Sequence, residues 1–173
     1  MIAISAGHHN LAKGAYYGDF NEHDEAVVWA QMLVNFLGDD GLLVPFGFLK
    51  NKVSYINNDR SIVLAVEIHF NSAPGHVGRG SETLCYPSSS KGRHAANTVQ
   101  DALGRIFQPS RGVKEGYYRM DPARGPDFFL ARTRCTALII EPEFVHHEIA
   151  IKKNREVACQ ALTGALLEAA SQL

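Results

Sequence analysis

Residues 61–70 read SIVLAVEIHF. The run is almost wholly apolar and rich in β-branched side chains, the composition of a strand buried on both faces near the middle of a sheet. Its carboxylate, Glu67, and its histidine, His69, stand two apart and so face the same side of a strand. Ending so apolar a strand in an ionisable residue is costly unless that residue is paired or solvated. A second run, residues 136–141 (TALIIE), has the same character and closes on Glu141.

The rest of the chain arranges itself around these two runs. Residues 2–5 are apolar and stop at Gly7-His8-His9, the pattern of a buried strand entering a loop. Residues 22–37 predict a helix. Asn21 caps it, Ala26, Val27, Ala30, Leu33 and Leu37 recur at helical spacing, and Gly38 stands at its end. Residues 42–46 predict a second strand and residues 50–58 a short surface helix. After glycines at 75, 78 and 80, residues 81–86 resume a strand, followed by an amphipathic helix over 89–106. Residues 108–127, rich in Gly, Pro and Arg, read as a long functional or mobile loop. Residues 149–170 supply one or two closing helices. Alternating strands and helices indicate an α/β fold, with a mixed, mostly parallel twisted sheet flanked by helices.

A chain of 173 residues fits one domain, 1–173, with a real core. With 46% hydrophobic and 20% charged residues, disorder, collagen and coiled-coil designs are excluded. A formal net charge of -1 gives no global field to recruit nucleic acid or acidic lipid. No run approaches ~18 apolar residues, and the start, MIAISAGHHN, lacks a basic segment followed by a long apolar one. The expectation is a protein made in the cytoplasm without stable membrane association. Cys85, Cys135 and Cys159 lie far apart in apolar segments, which suits reduced core thiols. Trp29, at core spacing, reads as packing. His23, His76, His94, His146 and His147 read mostly as surface residues, although His76, in the glycine turn, could also meet substrate.

Four ionisable residues share a position at a strand end or in a helix's first turn: His8, Glu22, His69 and Glu141. A zinc hydrolase wants three nitrogen or oxygen ligands and an open fourth position for water. A further carboxylate outside that set can take the proton of the water. The plainer readings are that a histidine after a strand is an ordinary loop residue, and that a glutamate in a first turn complements the helix dipole. Spacing alone leaves both open.

The segments AGHHN, NEHDEA, EIHFNSAPGHVGRGSETL and LIIEPEFV, in that order, resemble the zinc-dependent N-acetylmuramoyl-L-alanine amidases of the phage or prophage endolysin type. Those enzymes cut the bond between N-acetylmuramic acid and L-alanine in peptidoglycan. The matching motifs are Gly7-His8, Glu22, His69-Phe70-Asn71 with Gly80-Ser81-Glu82, and Glu141-Pro142-Glu143-Phe144, so the resemblance spans residues 2–148. It implies a zinc-amidase (phosphorylase/hydrolase-like) α/β fold, with Zn²⁺ held by His8, Glu22 and His69. It implies zinc-bound water as nucleophile, Glu141 as general acid/base and Asn71 as a residue that steadies the site. With no export signal, one domain and no added wall-binding repeat, the expectation is an endolysin that acts on the cell wall after release at lysis, and a monomer.

Two departures from the family pattern bear on these roles. His9 follows His8, but neighbouring positions point opposite ways and the motif's register selects His8. Glu143 rivals Glu141 as base, with the E-x-x-F register favouring Glu141. Glu67 either steadies the site beside His69 or serves as a strand-end salt-bridge partner, and Glu82 braces the structure. Within residues 112–121 (GVKEGYYRMD), the Arg and Tyr residues could wall a substrate groove that binds stem-peptide carboxylates or sugar, with Arg119 the candidate for contact; the plainer reading is a solvated connection with aromatic anchors. A zinc carboxypeptidase-like peptidase acting on cell-wall peptides is the enzyme alternative, disfavoured because no close His-x-x-Glu pair occurs at the first site. A catalytically inactive wall-binding module is the other, disfavoured because all four ionisable residues are present.

Overall fold

The computed structural model describes residues 1–173. Strand β1 (Ile2–Ala6) leads to a small hairpin, β2 (Tyr16–Tyr17) and β3 (Phe20–Asn21), and then to helix α1 (Glu22–Leu37). There follow β4 (Gly41–Leu43), α2 (Leu49–Asn58), β5 (Leu64–Ile68), β6 (Ser81–Cys85) and α3 (Ser90–Ile106). The chain closes with β7 (Ser110–Glu115), α4 (Phe128–Arg132), β8 (Thr136–Glu141) and α5 (Glu148–Ser171). The main sheet has the order β4-β1-β5-β8-β6-β7, and every pairing in it except β8 with β6 is parallel. β5 therefore lies inside the sheet, as its almost wholly apolar run requires.

Period two divides each strand between two layers. Ile2 and Ile4, Leu64, Val66 and Ile68, and Leu138 and Ile140 pack on one face against α1, α3 and α5. Ala3, Ala65, Ala137 and Ile139 turn to the other face, where Val53 and Ile56 of α2 and Phe129 and Leu130 of α4 cover them. Trp29 is fully buried in the larger layer, and its indole donates to Glu25 at 2.9 Å. Arg155 of α5 holds the same carboxylate through two bonds of 2.7 and 2.8 Å, so this buried charge is paired.

Helix α1 has the predicted bounds. Asn21 accepts from the Asp24 amide, and Gly38 ends the helix with a φ of 56°. Several other expectations need correction. The strand expected at 42–46 ends at Leu43, ahead of Pro45. Helix α2 lies at the surface as expected, with Lys50, Asn51, Ser54, Tyr55 and Asn58 exposed, but its inner face buries Lys52 beside Val53 and Ile56. Part of the expected loop at 108–127 is the edge strand β7, which is polar and contains Gly112 at φ 77°. An edge strand needs no apolar pattern on both faces, so composition hides it. One continuous helix, α5, closes the chain. His23 is buried, and its Nδ1 lies 2.7 Å from the Gly7 carbonyl. Cys85 and Cys159 are buried and Cys135 is half-buried. No helix is long and apolar enough to cross a membrane.

Leu138 is wholly buried in β8, between β5 and β6. Replacing it with Ala should cost about 2–5 kcal/mol in chemical denaturation, with the native fold retained. A loss under about 1 kcal/mol would mean that this layer is not close-packed.

Candidate metal centre and active site

Parallel strands β1 and β5 run in register, with Ala6 opposite Ile68, so their carboxyl ends stop side by side. The Gly7 amide donates to the Ile68 carbonyl at 2.8 Å, and the next residues out are His8 and His69. His8 takes a φ of 58°, which turns the chain away from the strand. The segment that follows returns Glu22, the first residue of α1, to the same place. The Glu22 amide donates to the Ala15 carbonyl at 3.0 Å, and the Ala15 amide donates to Glu22 Oε2 at 3.0 Å.

The Glu22 carboxylate lies between the two imidazoles. Its Oε2 is 2.9 Å from His8 Nε2, and its Oε1 is 2.8 Å from His69 Nδ1. The Phe70 amide also donates to Oε1, at 3.1 Å. One ligand atom from each of His8, Glu22 and His69 falls within 4.8 Å of the others. Two glycines leave room for this cluster. A Cβ on Gly7 would stand 2.6 Å from the His69 ring, and one on Gly14 would stand 2.4 Å from Glu22 Oε2 and 2.5 Å from the His8 ring.

The electrostatics call for a cation here. Burial alone would raise the Glu22 pKa, but bonds from His69 and His8 outweigh it and hold the carboxyl well below the usual range. Burial opposes charge on His69, yet its bonds to Glu22 and Glu67 raise the imidazole well above its ordinary value. In the metal-free protein the His69 ring thus lies between two carboxylates, 2.8 Å from Glu22 and 3.2 Å from Glu67. Two imidazoles and one carboxylate converging on one point suit a zinc ion.

Glu141 closes β8 on the same side of the sheet. With His69, Tyr117, Arg119 and Asp127 it lines a cavity of about 150 Å³. Burial pushes its carboxyl up to about 7; His69 opposes the rise, while the charges of Glu82 and Glu22 add to it. Glu143 is placed differently. The chain has turned after Pro142, and the buried Glu143 carboxylate accepts from the Gly80 amide at 2.6 Å and the Phe144 amide at 2.9 Å.

The remaining expected residues fall at varying distances from the centre. Glu67 is buried below it and lies 3.2 Å from His69 Nε2. The Asn71 side-chain Nδ2 donates to Glu82, which Arg111 also reaches at 3.2 Å, so Asn71 acts on that pair and not on the three clustered side chains. Arg119 is exposed on the cavity wall, with a φ of 55°. The His9 ring turns away onto Phe48, at a centroid distance of 4.6 Å. His76 and His146 gather beside Tyr17, outside the cluster. Sequence reasoning passed over two residues, Lys52 and Asp127, whereas Tyr117 belongs to the segment 112–121 whose Arg and Tyr residues were expected to wall a substrate groove. For Lys52 a signal existed, since helical spacing puts it on the same face of α2 as Ile56.

The raised Glu141 value has a measurable consequence for the metal-free protein. A carboxyl whose folded pKa exceeds its unfolded value stabilises the fold below the unfolded value, and that contribution is lost as pH rises through the folded one. The loss builds from the ordinary carboxylate range up to about 7 and is complete above it. Metal-free Glu141→Gln should therefore gain Tm relative to wild type as pH rises through this window, by a few degrees, and then level off. A difference that stays flat with pH would contradict the burial of this carboxyl.

No curated protein sequence gives a significant match to the chain. Among solved structures, the catalytic domain of the CD27L endolysin targeting Clostridia difficile is 26% identical, with a TM-score of 0.77 over 96% of each chain. The catalytic domain of CwlV, an N-acetylmuramoyl-L-alanine amidase from Bacillus (Paenibacillus) polymyxa var. colistinus, is 19% identical, with a TM-score of 0.81 over 96% of each chain. The N-acetylmuramoyl-L-alanine amidase AmiC2 of Nostoc punctiforme is 17% identical, with a TM-score of 0.80 over 96% of this chain and 94% of that one. The last two likenesses bear on the fold alone. The family model described as N-acetylmuramoyl-L-alanine amidase matches residues 2–171, nearly the whole chain, and the chain belongs to that family, an amidase that acts on peptidoglycan.

Proposed function

We propose that this amidase is a zinc enzyme of the endolysin type, with the ion held by His8, Glu22 and His69 and with Glu141 as general acid/base. Residues 1–173 constitute its catalytic domain. The observation that carries the reading is the convergence of three ligand atoms within 4.8 Å, beside a cavity that Glu141 shares with His69. The endolysin role rests on likeness to the CD27L catalytic domain over 96% of both chains.

A zinc ion held by these three groups supplies Lewis acidity, polarising the scissile carbonyl and lowering the pKa of water toward ~7. The chain's own residues do the rest. Glu22 keeps both imidazoles turned inward, and Glu67 accepts from the far nitrogen of His69 and so fixes its ring. Glu141, on the cavity wall beside His69, is placed both to take a proton from the attacking water and to return it. The proton goes to the departing L-alanine nitrogen as the amide bond breaks. Arg119, exposed on the cavity wall, offers a guanidinium to carboxylates of the stem peptide. Asn71 steadies this region through Glu82, which pairs with Glu141 across β6 and β8.

Purified protein with zinc should release stem peptides bearing a free L-alanine amino group from peptidoglycan. Release of reducing sugars alone would contradict the assignment, as would cleavage confined to free peptide carboxyl termini. Glu141→Gln should bind zinc like the wild type while losing roughly 10²–10⁴-fold in kcat. His69→Ala should lose most of the zinc found in wild-type protein, and equal metal content in the two would remove His69 from the site.

A further inference from the structure

Beneath the clustered side chains lies a charged pair to which the chemistry above gives no part on one side. Lys52 of α2 is only 2% exposed. Its ammonium donates to the Ala6 carbonyl, to the His8 carbonyl at 2.8 Å and to Glu67 Oε1 at 3.3 Å. Glu67 is itself 3% exposed. Its Oε1 also accepts from Ser5 Oγ at 3.1 Å, and its Oε2 lies 3.2 Å from His69 Nε2. One end of the pair is fastened to the main chain of His8 and the other to the ring of His69.

Both attachments fall where the centre needs support. His8 has a φ of 58°, a conformation that costs energy for a residue with a Cβ and persists only where neighbours enforce it. The bond from Lys52 to its carbonyl is such an enforcement. Burying an ammonium and a carboxylate together carries a desolvation penalty that two apolar side chains of similar size would avoid. The surrounding layer is built from Ala3, Ala65, Ala137, Val53 and Ile56, so an apolar filling was available. A pair kept at that cost, with its bonds directed at two ligating residues, has a use in holding them.

We propose that Lys52, acting with Glu67, is a positioning residue that sets the main chain of His8 and the ring of His69 for a divalent metal. The inference rests on the reading that His8, Glu22 and His69 hold zinc. Lys52 touches neither substrate nor metal. It works from α2, on the face of the sheet that carries Glu67 and His69, through the carbonyls at the end of β1 and through Glu67.

The test is zinc affinity, read by competition with a chromophoric chelator, together with far-UV circular dichroism of each variant. Folded Lys52→Met should bind zinc roughly 10–100-fold more weakly than wild type. Glu67→Gln should weaken binding as well, and the double variant should lose less than the product of the single losses, because the two side chains act as one unit. Wild-type zinc affinity in folded Lys52→Met would overturn the proposal, as would losses that multiply independently. If Lys52→Met does not fold, the double variant, which buries no unpaired charge, decides. Weakened affinity there supports the proposal, and wild-type affinity overturns it. Wild-type protein that takes up no zinc would instead bring down the proposed function on which this inference stands, so the two failures are told apart.

Discussion

A carboxylate taken out of water must be paired, and Glu22, 5% exposed, is paired on both oxygens by imidazoles from two different strand ends. That requirement explains much of the surrounding architecture. It needs β1 and β5 parallel and in register, so that His8 and His69 emerge together. It needs α1 to begin where it does, with Asn21 capping the Asp24 amide so that Glu22 falls in the first turn. It needs glycine at 7 and 14, because a methyl group at either would occupy the volume of the His69, Glu22 and His8 side chains. The position also favours the charge, since a carboxylate in a first turn lies at the positive end of the helix dipole.

The two faces of the sheet have different tasks. Large aliphatic side chains fill the layer under α1, α3 and α5. On the other face, strand residues are smaller toward the amino ends, Ala3, Ala65 and Ala137, and become ionisable or polar toward the carboxyl ends, Ser5, Glu67 with His69, and Glu141. Period two keeps each series on one side. The helices covering this face, α2 and α4, are short, so the carboxyl ends of the strands stay open as a cavity while their amino ends are sealed. Polar chemistry is thereby confined to one edge of an otherwise apolar layer.

Within that edge, environment separates carboxylates of identical chemistry. Glu22, bonded by His69 and His8, is held well below the ordinary range, while Glu141, desolvated and facing the charges of Glu82 and Glu22, is pushed up to about 7. One is suited to remain an anion beside a cation, and the other to exchange protons near neutrality. Glu143, two residues from Glu141, is withdrawn from this contrast because two backbone amides occupy its carboxylate.

The order of strands and helices, the burial of residues 61–70 and 136–141, the capped helix over 22–37 and the candidate set His8, Glu22, His69 and Glu141 were legible in the chain itself. Each is written in local composition, periodicity or ordered motifs. β7 was not legible, because an edge strand carries no buried pattern. Nor were the burial of His23, the partners that let Lys52 be buried, or the different surroundings of Glu141 and Glu143. A lysine or histidine is buried only when acceptors arrive from elsewhere, and those for Lys52 come from residues 6, 8 and 67. Local sequence decides what a segment can form. Which polar atoms meet across 40 or 60 residues, and hence which charges survive burial, is decided only when the sheet brings the strand ends together.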